Sequence, residues 1–94
     1  MSHSRRDTNE RAIVQFWRSV GCGWIPQSRE AGFDGILFAA NGMHIVEIKR
    51  PECRNDLTEN ERRTKANIEF HGDKYNVITS VEEAAYLIGA EVSA

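Results

Sequence analysis

The sequence predicts one small α/β domain, a mixed sheet flanked by helices, and three patterns carry that prediction. Ile13, Phe16, Trp17 and Val20 recur at the spacing of one helix face. Two apolar runs, 36–39 and 43–48, flank Asn41-Gly42, a strong hairpin signal because both residues tolerate positive φ in a type I′ turn. Two capping boxes, Thr58 with Glu61 and Ser80 with Glu83, bracket a strand-like run over 75–79.

In chain order, residues 1–6 read as a flexible basic tail ahead of a domain over 7–94. The first helix is expected over about 7–20, capped by Asp7 or Thr8 and ended by Gly21 and Gly23. Residues 24–27 suit a short strand that Pro26 pushes to a sheet edge. The hairpin follows, and Pro51 stops its second strand. A second helix opens at Leu57-Thr58 and ends near Gly72; strand 75–79 and a helix through Ile88 complete the order α-β-β-β-α-β-α. The strand–helix–strand unit from about 49 to 79 should be a right-handed crossover between parallel strands.

Composition narrows the class. Ninety-four residues allow one thin core. No apolar run approaches the ~20 residues of a membrane span, and the polar, basic amino terminus lacks the apolar stretch of a secretory signal. Cys22 and Cys53 form no CxxC pair and read as reduced thiols of a cytoplasmic protein. A net charge of -2 argues against a surface that clings to polyanions everywhere, while leaving room for a local basic patch.

The chemistry concentrates on the hairpin. With Asn41-Gly42 as a two-residue loop, Ala40 faces Met43, Asp34 faces Lys49 and Ile36 faces Glu47. Side chains alternate with period two, so Asp34, Glu47 and Lys49 share one face, the two carboxylates as diagonal neighbours able to reach one ion. Two carboxylates and a lysine suit a hard divalent cation and a hydrolytic water, with Lys49 orienting the water or countering developing charge. The plainer reading is an Asp34–Lys49 cross-strand ion pair on a solvated face. Against it, Ile36, Phe38, Met43 and Ile45 make the rest of that face apolar, and such a face should be covered. Glu10 falls on or beside the packing face of the first helix, from which it could reach the same ion. It equally fits a capping box over residues 7–10.

Asp34, followed after twelve residues by Glu47-Ile48-Lys49, resembles the PD-(D/E)xK nuclease signature. The wider chain resembles the VRR-NUC branch of that superfamily over roughly 7–88. The likeness is carried by Glu10, Gly32-Phe33-Asp34, the run Val46-Glu47-Ile48-Lys49-Arg50-Pro51, Leu57-Thr58, and residues 75–84. The resemblance implies a restriction-endonuclease-like fold in which Asp34, Glu47 and the Ile48 backbone carbonyl hold Mg²⁺ or Mn²⁺. It implies that Lys49 is the catalytic lysine and that Glu10 is a helix-borne acid serving the site and metal. Phe33 replaces a usual proline that shapes the turn. Glu61 stands where a glutamine is frequent; a change of charge there would alter metal demand, although the capping-box role with Thr58 is the preferred reading of Glu61.

Arg50, Arg62, Arg63 and Lys65, with Arg54 and the amino-terminal Arg5, Arg6 and Arg11, are candidates for nucleic-acid phosphate contact. Interspersed Glu52, Asp56, Glu59 and Glu61 fit a solvated mixed-charge helix as well. His3, His44 and His71 lack zinc-ligand spacing, and His44 falls on the face opposite Glu47 and should be packed. Gly21-Cys22-Gly23 follows a helix rather than a strand and is no phosphate loop.

The expectation is therefore a cytoplasmic Mg²⁺- or Mn²⁺-dependent DNA endonuclease of a bacterial or phage-infected cell. The resemblance suggests that it cuts branched DNA such as Holliday junctions or flaps and acts as a homodimer. Trp17, Trp24 and Tyr86 are loose interface candidates whose default place is the core. The alternative is a catalytically inactive nucleic-acid-binding or interaction module on the same fold. A protein-binding regulator has no positive feature behind it.

Overall fold

The computed structural model describes the backbone of residues 3–90 and side chains from Asn9 onward. Along the chain come α1 (His3–Ser19), β1 (Gly23–Pro26), a 3₁₀ turn (Arg29–Ala31), β2 (Gly35–Ala39), β3 (Gly42–Ile48), a second 3₁₀ turn (Pro51–Cys53), α2 (Glu59–Phe70), β4 (Tyr75–Ile78) and α3 (Val81–Leu87). The strands form one mixed sheet in the order β1-β2-β3-β4, antiparallel except for the parallel β3–β4 pair. The chain is thus α/β, with the expected edge position for the Pro26 strand.

One face of the sheet holds the core. Trp24, Leu37, Val46, Ile48 and Ile78 cluster with Ile13, Val14 and Trp17 of α1 and Ala84 of α3. Trp17 stacks on Trp24 at 5.3 Å between ring centroids, and its indole N–H donates to the Ala84 carbonyl at 3.0 Å. A buried tryptophan needs such a partner for its polar edge. That bond therefore ties the first helix to the last. Both tryptophans take their default core role, whereas Tyr86 is 86% exposed.

The structure departs from the sequence reading at four places. Helix α1 starts at His3, so the expected tail is helical from its third residue, and neither Asp7 nor Thr8 ends the helix as a cap. Nothing between His3 and Asp7 breaks a helix. Residues 7–10 therefore lie inside α1 rather than at its start. The others are the hairpin turn, the second capping box and the far half of the sheet's other face.

The hairpin turns at Ala40-Asn41, with Ala39 paired to Gly42 and Gly35 to Val46. A type I′ turn would need positive φ at both central residues. Only Gly42 supplies it, at φ 125°, and no non-glycine residue among those described does. Asn41 instead uses its side chain, donating to the Leu87 carbonyl at 3.0 Å and meeting His44 Nε2 at 2.8 Å. The register is consequently two residues from the expected one. A shift of two preserves the parity of every side chain, so the predicted face survives the wrong register.

The second capping box is half formed. The Ser80 hydroxyl accepts the Glu83 amide at 3.1 Å, but the Glu83 carboxylate reaches back one residue further, to the Thr79 amide at 2.7 Å. Finally, the apolar half of the Glu47 face is open. Ile25, Ile36, Ile45 and Tyr75 line up across the four strands. Only Tyr75 is buried, while Ile25, Phe38 and Met43 are 48%, 44% and 60% exposed. Helix α2 covers the other half alone. Among the described residues no helix is long and apolar enough to cross a membrane.

Candidate active site

Three segments meet under the start of α2 and enclose a cleft of about 550 Å³. Its floor is Asp34, Glu47, Ile48 and Lys49, at the end of the hairpin away from the turn. One wall is the β1–β2 connection with Gln27, Ser28 and Arg29; the other holds Arg50 and Cys53.

Asp34 lies one residue before β2, opposite the end of β3. Its amide donates to the Val46 carbonyl at 2.9 Å, and its Oδ2 accepts the Ile48 amide at 2.7 Å. The side chain therefore takes over a backbone partner where the regular ladder stops, which fixes its orientation. Both Asp34 and Glu47 are buried, at 7% and 4% exposure.

Two buried carboxylates are costly to ionise together. Glu47 shows the cost: burial first, then the charges of Asp34 and Glu61, push its pKa up to about 9 despite the neighbouring ammonium of Lys49. Burial and these charges favour a proton on Glu47 at neutral pH when no cation is present. Burial first, then the same carboxylates, raise the pKa of the Tyr75 phenol, whose O–H donates to the Gly32 carbonyl at 2.7 Å.

Lys49 is anchored on every side. Its amide donates to the Ile78 carbonyl at 3.0 Å, and its own carbonyl accepts from Asn9 Nδ2 of α1 at 2.7 Å. Its ammonium lies 3.0 Å from Glu61 Oε1 and 3.5 Å from Glu47 Oε2. Burial alone would depress the Lys49 pKa, but the hydrogen bond and charge of Glu61, then those of Glu47, outweigh it and hold it above the ordinary value.

Glu61 does two things with one oxygen. Oε1 accepts the Thr58 amide at 2.9 Å, completing the capping box at the head of α2, and also accepts from Lys49. Burial would raise its pKa, yet the Thr58 amide and the hydrogen bonds from Lys49 and Glu47 bring it below the usual glutamate value. The expected cap is present, and the residue belongs to the site as well.

The other predicted residues are dispersed. Glu10 is half-buried on α1, but it is Asn9 that lines the cleft. Among the described residues no group of three or more His, Cys, Asp or Glu is arranged to hold a metal ion. Arg50 lines the cleft paired with Glu52. Arg54 pairs with Glu83 and donates to Thr79 Oγ1 at 3.0 Å, a brace between the second 3₁₀ turn and α3. Arg62 donates to the Leu57 carbonyl, Arg63 faces Glu59 at 4.0 Å, and Lys65 pairs with Glu69 at 2.9 Å, so these three engage their own helix or its lead-in. Arg5 and Arg6 lie outside the described side chains.

His44 is half-buried beside the hairpin turn, and burial lowers its pKa. His71 caps α2 near Asn67. Sequence reasoning missed Asn9, Gln27, Ser28 and Arg29. The only hint was that the β1–β2 connection must return to the sheet end where Asp34 starts β2.

No family model matches this chain, and neither does any curated protein or solved structure.

Proposed function

We propose that the protein is a Mg²⁺- or Mn²⁺-dependent DNA endonuclease. One observation carries this reading: two carboxylates, Asp34 and Glu47, are buried side by side at the floor of an open cleft next to Lys49. A fold gains little by burying a carboxylate that must hold a proton to remain there. A divalent cation removes that cost.

The donor set fits such an ion. Asp34, Glu47 and the Ile48 carbonyl offer only oxygen, the preference of Mg²⁺ and Mn²⁺, and two carboxylates agree with an ion that usually keeps several waters. When bound, the cation supplies a Lewis acid that polarises a phosphoryl oxygen and makes water more acidic. The chain does the rest. Asp34 is oriented by the Ile48 amide, Glu47 gives up its proton, and the ammonium of Lys49 counters negative charge developing on the phosphate. Glu61 sets where that ammonium sits.

The restriction-endonuclease-like reading of the fold rests on the same resemblance and on the order of elements. So does the preference for branched DNA. Homodimerisation is favoured by the open apolar half of the sheet, since exposed apolar patches of this kind commonly mark contact surfaces. A second reading, an inactive binding module, is favoured by one observation: the Lys49 ammonium is already engaged by Glu61.

Labelled linear duplex, single strand, flap and four-way junction, each with EDTA, Mg²⁺ or Mn²⁺, decide the matter. Metal-dependent cleavage that is lost in Glu47→Ala and Lys49→Ala supports the nuclease. Binding of Mn²⁺ that vanishes in Asp34→Ala separates a metal site from a bare module even where no substrate is cut.

A further inference from the structure

The cations on and just before α2 expected to hold nucleic acid are engaged within the chain. Arg50 faces Glu52, Arg62 bonds the Leu57 carbonyl, Arg63 faces Glu59 and Lys65 pairs with Glu69. Arg29 differs. It is exposed, it lines the cleft with Asp34, Glu47 and Lys49, and among the described residues its guanidinium forms no ion pair within 4.0 Å. Glu30 feels its charge, although that carboxyl is held low first by its own backbone amide and by Ser28.

The loop beneath Arg29 is held tightly for a surface connection. Gln27 donates its amide to the Asp34 carbonyl at 2.9 Å, closing the loop at its base. Asn60 donates to the Glu30 carbonyl at 3.3 Å, Thr64 to the Ala31 carbonyl at 3.3 Å and Tyr75 to the Gly32 carbonyl at 2.7 Å. Gly32 makes this seat possible. Its φ is 81°, and a Cβ there would collide with the Thr64 side chain. Helix α2 therefore fixes both Lys49, through Glu61, and the backbone that presents Arg29.

From this geometry we infer that Arg29 is a phosphate-binding residue, gripping a backbone phosphate of the DNA strand that enters the cleft from the β1–β2 side. The inference rests on the nuclease reading above. A guanidinium matches phosphate oxygens with two parallel N–H donors, and a pinned backbone lowers the ordering cost of binding. Phosphate contact fixes the strand's position and carries no sequence information.

The test measures binding of a labelled flap and a linear duplex in EDTA, where no turnover intervenes, across a salt series. Proteins compared are wild type, Arg29→Gln, Arg29→Lys and Arg18→Gln, the last an exposed arginine that does not line the cleft. Arg29→Gln is expected to bind about three- to tenfold more weakly and to flatten the log K against log salt slope by about 0.9, the value of one lost phosphate contact on duplex DNA. Arg29→Lys restores the slope but only part of the affinity, and Arg18→Gln matches wild type. In cleavage with Mn²⁺, Arg29→Gln raises KM by more than it lowers kcat.

Unchanged affinity and slope in Arg29→Gln, with wild type binding and cutting DNA, overturn the role of Arg29 alone. A loss in Arg29→Gln accompanied by a lower Tm and weaker Mn²⁺ binding makes it a structural residue and also overturns the proposal. Absence of both binding and cleavage in wild type overturns the nuclease reading, and Arg29 as a phosphate contact falls with it.

Discussion

The two halves of one sheet face run against each other's expectation. At one end, under α2, Glu47 and Asp34 are nearly sealed from solvent. At the other, Phe38 and Met43 stand in water with Ile25 at the edge. The same strands supply both ends: β3 carries exposed Met43, half-buried Ile45 and buried Glu47 in successive same-face positions. Cover is placed over the charges rather than over the apolar groups. A helix that only stabilised the sheet would sit on the hydrophobic half, so the position of α2 is organised by what it holds at the cleft: Lys49 through Glu61, and the β1–β2 loop through Asn60 and Thr64.

The sharpest test of that contrast is chemical. Glu47→Ala or Lys49→Ala should reduce metal-dependent cleavage by roughly a thousandfold, the scale of losing a charge that stabilises a transition state. Phe38→Ser and Met43→Ser should leave the cleavage rate per folded site within about twofold once protein concentration is high enough to offset any loss of self-association. Equal losses at both ends would erase the distinction.

Stability gives the next largest effect. Trp17→Ala, in the core on the other face, should cost about 3–5 kcal/mol in denaturant unfolding. Met43→Ser should cost within about 0.5 kcal/mol per monomer. If the open half is a dimer contact, Met43→Ser instead shifts the monomer–dimer balance in sedimentation. A large monomer destabilisation from Met43→Ser would mean that this half is core after all.

The buried end should also betray itself through pH. Glu47 has a folded pKa of about 9, above its unfolded value, so the folded protein binds the extra proton between the two. Its favourable contribution is complete below the unfolded pKa and is lost as pH rises through the folded one. Relative to Glu47→Gln, metal-free wild type should lose up to about 1.4 kcal/mol per pH unit from about 4.5 to 9. Mn²⁺ affinity should climb in the same window, by up to about tenfold per unit, because the cation displaces that proton. Asp34, Glu61 and Lys49 all face Glu47, so a flat profile would mean that their charges already balance it.

The smallest effect concerns the joint between cap and lysine. Thr58→Ala should cost about 1 kcal/mol as a lost N-cap. Glu61→Gln keeps an acceptor for the Thr58 amide and should cost less, while freeing the Lys49 ammonium from its ion pair. A cleavage rate that responds to Glu61→Gln but not to Thr58→Ala separates the two duties of that oxygen.

Much of this arrangement is legible in the residues, and what is not has a physical reason. Element types follow from spacing, as with Ile13, Trp17 and the Thr58–Glu61 box. The shared face of Asp34, Glu47 and Lys49 follows from parity, which a two-residue slip cannot disturb. Register does not follow, because Gly42 can serve either as a turn residue or as the first strand residue after the turn. Glu61 has a sufficient local explanation in its cap, and its bond to Lys49 exists only once α2 docks. Asn9 and Arg29 approach the cleft across tertiary contacts that no local pattern encodes. An apolar run shows that a face can be buried, not which half of it is.

The dependence of the cleft on α2 and Tyr75 also has a consequence in time. The hairpin contains both carboxylates and is a local structure, able to pair as soon as Ile48 is available. Its lysine clamp and loop wall need contacts from residues 60, 61, 64 and 75, the last of them 43 positions away from Gly32. Long-range contacts of that kind close late. During synthesis the two carboxylates are therefore brought together before the lysine clamp and the loop wall that surround them in the folded chain.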